Sequence, residues 1–400
     1  MNKWANRKLI VFVLLDLIML GLAFGAGFVT AQIVPQRIQI PGLAPAPQLN
    51  LYWDVWRLVE QDFIHLVPDQ QTRVYGAIRG SLMTLNDPYT VFVEPQSHQR
   101  EKEDLQGRFG GIGVTMRRND PGDLVFTPLP DSPAIKAGIQ DGDVLLSVDG
   151  KTITSTMTFD DIAALVRGKV GTHVTIVVRR AREETLLSFT ITRQEIQTPS
   201  VEARLLEQTP QIGYLAVRRF TERSGEEIKN AMLDLKQKGA NQVILDLRDN
   251  GGGLLDASID VATQFLPEGQ VVLYEKQKDK PEKTFATQSG GAALDVQMVV
   301  LINHGTASAS EIVAGALHDQ NRAVLIGDKT YGKGSVQHVY DLSDGSSLHV
   351  TAAEWFTPNR HQLTGNGLDP DVSVPRSNED IAAGRDPQLD RAIARLQNRP

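Results

Sequence analysis

The sequence contains no cysteine, which excludes disulfides, thiolate nucleophiles and cysteine-bound zinc. It does not fix a compartment, because exported proteins also fold without disulfides. Basic charge is in deficit: 41 Lys and Arg stand against 48 Asp and Glu, a formal charge of −7. No run of cations concentrates on one stretch, so no nucleic-acid partner is expected. Aromatic residues make up only 6%, and no internal repeat of solenoid period is present. What remains is ordinary globular composition, 41% apolar and 22% charged with 34 Gly and 20 Pro. Four hundred residues exceed one hydrophobic core, so two or three folded units are expected.

Residues 1–8 carry Lys3, Arg7 and Lys8, and the chain is then mostly apolar over residues 9–31. As a helix that run reaches roughly 34 Å, enough to cross a bilayer. Asp16 would cost about 2.5–3.5 kcal/mol near the midplane, against roughly −0.3 to −0.6 for each Leu, Ile, Val or Phe. Fourteen such residues lie between Leu9 and Val29, so insertion is favoured. The leading cations place the N-terminus in the cytoplasm and the rest outside, periplasmic or on the cell surface. Val29-Thr30-Ala31 also offers a cleavage point, which would make the segment a signal peptide and the protein secreted. The anchor is the reading taken, because the run exceeds the roughly 7–15 apolar residues of a signal core. Residues 32–50, "PQRIQIPGLAPAPQLN" among them, read as an extended spacer.

Over residues 51–104 apolar side chains recur at helical spacing in "LYWDVWRLVEQDFI" and "VYGAIRGSLMTL". Trp53, Trp56 and Val59 form a stripe read as core packing. Residues 105–194 change to short strands and glycines with one short helix, "TFDDIAALV", where Thr158 and Asp161 have capping-box spacing. The segments "FGGIGV", "SPAIKAGIQDGDVLLSVDGKTI" and "FDDIAALVRG", in that order, resemble a PDZ domain. Gly110, Gly111 and Gly113 would let backbone N–H groups converge on a terminal carboxylate, with Ile112 and Val114 leading into a strand that pairs with the peptide.

Residues 195–375 alternate strands and helices. "IGYLAVRRF", "QVILDLRD", "QMVVLIN" and "RAVLIGD" read as strands, and "SGEEIKNAMLDLKQKG", "LLDASIDVATQFL" and "SEIVAGALHD" as helices, with Gly239 stopping the first. This is the pattern of βαβ units around a parallel sheet. The tail, 376–400, is expected to end in a short amphipathic helix. Three segments follow predicted strands: "DLRDNGGG" (246–253), "NHGTASASE" (303–311) and "GDKTYGKGSVQ" (327–337). Ligands gather outside the carboxyl ends of parallel strands, so these loops are expected to meet.

Ser308 and Ser310 stand at a strand-to-helix turn, where free N–H groups and the helix dipole favour developing negative charge. Ser310 is read as the cap and Ser308 as reactive. No cysteine and no G-x-S-x-G motif supply another nucleophile, and Lys333 is the candidate base. A base must be neutral, and lowering lysine from about 10.4 to about 7 takes roughly 4.6 kcal/mol, within what burial supplies. A solvated or phosphate-binding lysine has the same spacing.

Taken together, "TASASEIVAGALHD" and "AVLIGDKTYGKGSVQ" resemble the carboxyl-terminal processing peptidases, serine proteases with an embedded PDZ domain. The resemblance covers roughly residues 51–375. It implies a ClpP/crotonase-like α/β catalytic core beside the β-rich PDZ domain, and the residue patterns above add a small helical region and an N-terminal membrane helix to that fold. It makes Ser308 the nucleophile, Lys333 the general base and Gln337 the holder of the lysine. It places oxyanion donors at Gly252 or Gly253 and at Ala309, an auxiliary acid at Asp319, and a residue coupling tail binding to catalysis at Arg167. "NDPYT" (86–90) and "GNGLDPDVSVP" (365–375) follow the family and are read as structural. The implied partners are proteins with exposed C-termini and, through the N-terminal helix, the membrane; association with further copies of the chain is left open. No cofactor or metal is implied, and His338, His349 and His361 are read as packing or solvated. The competing reading is a catalytically silent membrane-tethered PDZ scaffold. A nucleotide enzyme using "NGGG" is poorer, since that segment lacks phosphate-loop spacing.

Overall fold

The computed structural model describes residues 49–398 apart from 182 and 184. The anchor or signal segment and nearly all of the spacer therefore lie outside the described residues. Among those described, no helix is long and apolar enough to cross a membrane. The chain divides into two compact units, 1–76 and 77–400.

In the first unit, helix α1 (Leu49–Asp62) forms where the apolar period predicts, and α2 (Gln70–Met83) follows. The expected burial of the aromatic stripe is not found. No residue of α1 is buried, and Trp53 is 55% exposed. Trp56 is half-covered, with the Arg73 guanidinium 5.0 Å from its ring centre. Periodicity fixed the helix, but residues 49–76 supply no second layer to cover its apolar face.

The boundary at residue 77 falls within α2, and the first strand of the second unit, which helical spacing did not reveal, is β1 (Val91–Val93), followed by α3 (Pro95–Gln106). Pro95 starts α3, and Gly107 ends it in the left-handed region at φ 67°. The PDZ region then runs β2 (Arg108–Gly111), β3 (Val114–Arg118), β4 (Leu124–Pro128), α4 (Pro133–Ala137), β5 (Asp143–Val148), β6 (Lys151–Thr152), α5 (Phe159–Val166), β7 (His173–Arg179), β8 (Leu187–Thr192) and β9 (Gln194–Gln197). Its main sheet has the order β3-β4-β5-β7-β8, with β6 on β5. Val174, Ile176 and Val178 are fully buried, as alternation along β7 requires. The Thr158–Asp161 capping box starts α5 as expected. One helix was expected here and two are present. The signal for α4 lay in "SPAIKAG": Ser132 caps it by accepting from Ile135 N–H, Pro133 leads it, and Gly138 closes it.

The α/β part contains β10 (Val201–Leu206), β11 (Thr209–Val217), α6 (Ser224–Gln237), β12 (Gln242–Asp246), α7 (Leu255–Phe265), β13 (Val271–Gln277), β14 (Lys283–Ala286), β15 (Gln297–Ile302), α8 (Ala309–Asp319), β16 (Val324–Gly327), β17 (Ser335–Asp341), β18 (Ser347–Phe356), β19 (Val372–Ser373), α9 (Asn378–Ala382) and α10 (Pro387–Leu396). Its sheet runs β10-β11-β12-β15-β16-β19, parallel from β11 onward. Leu215, Val243, Leu245 and Val300 pack on one face with Ile228, Val261 and Val313 of helices α6, α7 and α8. Ile212, Ile244 and Val299 pack on the other with Ala392 and Leu396 of α10. The tail thus closes the third layer. Buried Arg248 ties it down, bonding Asp246 at 2.7 Å and Asp386 at 2.9 Å.

A second, antiparallel sheet joins β1, β13, β14 and β17 around β18. It brings residues near 91, 275 and 350 together, a pairing that local sequence patterns do not encode.

Candidate active site

The ends of β12, β15 and β16 carry three loops, 247–253, 303–308 and 328–334, and they do meet. Asn250 stitches the first two. Its backbone carbonyl accepts from Ala307 N–H and from the Ser310 hydroxyl, and its side chain accepts from Gly252 N–H at 2.9 Å. Ser310 therefore does not cap α8, contrary to the sequence expectation, because its hydroxyl is committed to Asn250 O. Ser308 holds that position, with φ 57° and ψ −120°. Left-handed backbone costs a non-glycine residue roughly 1–3 kcal/mol and persists only where the surroundings impose it. Here Glu311 imposes it.

Glu311 is fully buried. One carboxylate oxygen accepts from Ser308 N–H and Lys333 N–H, both at 2.9 Å. The other accepts from Gly332 N–H at 2.8 Å and from the Thr330 hydroxyl. A single carboxylate thus ties the serine turn to the lysine loop. Sequence reasoning missed this residue, although "SASE" has the S-x-x-E spacing of a capping box.

Ser308 and Lys333 line one cavity of ≈ 500 Å³. A larger one, ≈ 680 Å³, lies between α3, β2 and residues 168–170 and holds none of the candidate catalytic side chains. Burial pushes the Lys333 amine below the ordinary lysine range, and the Glu101 carboxylate works against this. The amine also stands 5.1 Å from the centre of the Tyr89 ring, whose quadrupole favours the charged form. Burial pushes Tyr89 itself up to about 12, aided by hydrogen bonding with Tyr331. Among the described residues, no hydrogen bond joins the Ser308 hydroxyl to the Lys333 amine. The segments read as structural frame this loop: Asp87 accepts from Tyr89 N–H and the Thr90 hydroxyl, and Gly365 N–H donates to Gly332 O.

Gln337 lines the cavity, and among the described residues its amide makes no hydrogen bond to Lys333. Its amide donates to Ser335 Oγ at 2.9 Å, because β17 begins at Ser335 and turns the glutamine back along the strand. Asp319 is remote from the cavity. It accepts from Asn359 N–H at 2.8 Å and contacts His318, a structural arrangement at the helix end. Both glycines that the resemblance marks as oxyanion donors are required by space: a Cβ on Gly252 would meet Ser308 Cβ at 2.8 Å, and one on Gly253 would meet Phe220 O at 2.1 Å. Gly252 spends its N–H on Asn250. Gly253 and Ala309 keep theirs without a protein acceptor among the described residues.

In the PDZ region Gly110 and Gly111 are not a free carboxylate loop. They pair with Glu195 and Gln194 of β9, and Gly110 O accepts from Gly168 N–H. Ile112 is buried in the domain core. Gly113, at φ 72°, and Val114 lead into β3, which is an edge strand of its sheet. Arg167 ends α5 with its guanidinium 4.0 Å from the Phe109 ring centre and 3.7 Å from Asp104. The other oxygen of Asp104 lies 3.8 Å from Arg219, which lines the cavity of Ser308 and Lys333. His338, His349 and His361 are dispersed: His361 bonds Gly367 O, while His349 lines the cavity.

A PDZ module joined to an α/β core, with a strained serine and a half-buried lysine in one cavity, is the build of a PDZ-bearing serine protease. Comparison with known proteins agrees. The profile of Peptidase family S41 matches residues 211–374, and that of a PDZ domain matches residues 125–180. A carboxyl-terminal-processing protease of Synechocystis sp. is 38% identical over 80% of this chain and 75% of its own. A probable CtpA-like serine protease of Staphylococcus epidermidis is 38% identical over 75% of this chain and 60% of its own. The structure of a putative S41 protease from Bacteroides fragilis shares the fold, with TM-score 0.52 and 18% identity over 84% of this chain and 92% of that one. The chain belongs to the S41 family of carboxyl-terminal-processing serine proteases, and a silent scaffold is set aside.

Proposed function

We propose that the chain is an endopeptidase that selects proteins by their C-terminal tails and cuts them with Ser308 as nucleophile and Lys333 as general base. The observation that carries this is one buried carboxylate, Glu311, holding the backbone N–H of both residues at the wall of one cavity. Neutral Lys333 takes the Ser308 proton as Oγ attacks the scissile carbonyl. The N–H groups of Gly253 and Ala309 hold the oxyanion. Lysine then protonates the departing amine, leaving an acyl-enzyme that water hydrolyses with Lys333 again as base. The serine–lysine hydrogen bond forms when substrate fills the cavity, since such bonds are often long without it. Gln337 supports the base by turning its amide from Ser335 toward the amine.

The tail pairs as an added strand with the open edge of β3, its carboxylate near Ile112 and Gly113. Arg167 reports that binding to the cavity through Asp104 and Arg219. Residues 9–31 anchor the protein with its catalytic part outside the cytoplasm, a reading supported by the apolar run and its leading cations. The test is cleavage of one unfolded reporter ending in apolar or in charged residues. Wild type is expected to prefer one ending, and Ser308→Ala and Lys333→Ala to cut neither. Full activity in Ser308→Ala would defeat the assignment.

A further inference from the structure

His98 and Glu101 lie three residues apart on α3 and so share a face of that helix; His349 stands on β18. One ligand atom of each falls within 4.8 Å of the others. We propose that these three side chains form a binding site for a divalent transition cation of the zinc class, in the wall of the cavity that holds Ser308 and Lys333.

The orientation of His98 carries the proposal. The residue is 5% exposed. Its Nε2 lies 2.7 Å from Asp341 Oδ1, whose other oxygen is held by Lys102 at 2.9 Å. A carboxylate accepting from Nε2 leaves the lone pair on Nδ1, and Nδ1 is buried with no hydrogen-bond partner among the described residues. An unpaired buried acceptor costs about 1–3 kcal/mol. Metal-bound histidines characteristically donate their other ring nitrogen to a carboxylate in this way. Asp341 thus prepares His98 to give a lone pair.

The remaining spacing fits. His349 Nε2 lies 3.4 Å from Glu101 Oε2, close to the roughly 3.3–3.4 Å separating two ligands that each sit about 2.0–2.1 Å from a tetrahedral zinc ion. Two imidazoles and one carboxylate favour zinc-class ions over calcium or magnesium, which prefer oxygen. Ser347 Oγ, 3.2 Å from His349 Nε2, is the neighbour the metal would displace. Glu101 and His349 both line the cavity, so the fourth coordination position opens toward it. A cation there narrows the cavity and obstructs the entry of a peptide, which makes it an inhibitor even though its charge favours the neutral form of the Lys333 amine. That consequence rests on the cavity being the active site; the binding itself does not.

The experiment titrates the full metal-free protein with Co²⁺ and reads its visible d–d absorption, then displaces the ion with Zn²⁺. Wild type is expected to bind one equivalent, and His98→Ala and Glu101→Gln to lose about tenfold or more in affinity. Thermal unfolding shows that each variant is folded, and Zn²⁺ is expected to raise the midpoint of wild type alone. Equal Co²⁺ affinity in wild type and in a folded Glu101→Gln would overturn the site. Peptidase assays form the second arm, with Zn²⁺ inhibiting wild type and sparing Glu101→Gln. Metal binding without inhibition would remove the regulatory consequence, while a failed Ser308 assignment would leave the absorption result untouched.

Discussion

Replacing Glu311 with glutamine keeps its shape and removes one acceptor. Oε2 serves Ser308 N–H and Lys333 N–H, and Oε1 serves Gly332 N–H and the Thr330 hydroxyl. A glutamine has one carbonyl oxygen, so its NH₂ must face one of these pairs. Turned toward Ser308 and Lys333, it leaves two buried N–H donors unpaired. Turned toward Thr330, it finds a hydroxyl that can accept, but Gly332 N–H still faces another donor. This cheaper arrangement orphans one buried N–H, at about 1–3 kcal/mol, and reduces two charge-assisted bonds to neutral ones. The expected destabilisation is about 2–5 kcal/mol, a thermal midpoint lower by several degrees. Because the loops of the proposed nucleophile and base both hang from this carboxylate, kcat should also fall by about a hundredfold, the scale of a 1 Å misplacement. Calorimetry and steady-state cleavage of a single reporter measure the two effects. A variant within 0.5 kcal/mol of wild type at unaltered kcat would refute the reasoning.

Three further outcomes are expected. Only neutral Lys333 can accept a proton, so activity rises with pH through its pKa; Glu101 holds that pKa up against burial. Glu101→Gln should therefore move the acid limb of kcat/KM to lower pH in metal-free buffer, with His349 the other titrating neighbour, and a shift upward would contradict the assigned interaction. Arg248→Ala leaves the buried Asp246 carboxylate without its cation and Asp386 with Arg376 at 4.0 Å, which should cost about 3–5 kcal/mol in urea unfolding; a loss below 1 kcal/mol would count against the tie between tail and sheet. Asp104→Asn weakens only half-exposed ion pairs, so stability should change by less than about 1 kcal/mol, while the rate advantage of a preferred tail shrinks. Undiminished tail preference would sever the Arg167–Asp104–Arg219 link.

Much of the fold was legible because it is written locally. Alternation along β7, the Thr158 capping box, the apolar runs of β12 and β15 and the Gly239 stop all follow from residues within a few positions of one another. Convergence of the three loops followed from the topology of parallel strands. What escaped was long-range. The second sheet pairs β1 with β18, the Gly110–Gly111 strand is closed by β9, and the metal-like cluster joins α3 to β18. The Trp53 stripe shows the opposite failure, since period reveals that a face is apolar but not that anything covers it. The family resemblance implies that Gln337 holds Lys333, and the position of its amide, on Ser335 Oγ, is set by strand geometry that a motif does not encode. The S-x-x-E spacing of Glu311 encodes its bond to Ser308 N–H, but its reach to Gly332 and Lys333 depends on a loop about twenty residues away.

On the proposed mechanism the amine of residue 333 works in its neutral form, by accepting the Ser308 proton. Lys333→Arg tests it most directly, because arginine preserves the charge and nearly the reach of lysine but does not deprotonate in proteins. With the variant shown by its unfolding midpoint to be folded, kcat/KM for the tail-bearing reporter is expected to fall at least a thousandfold, to the level of Ser308→Ala. Retention of a tenth or more of wild-type kcat/KM would contradict it.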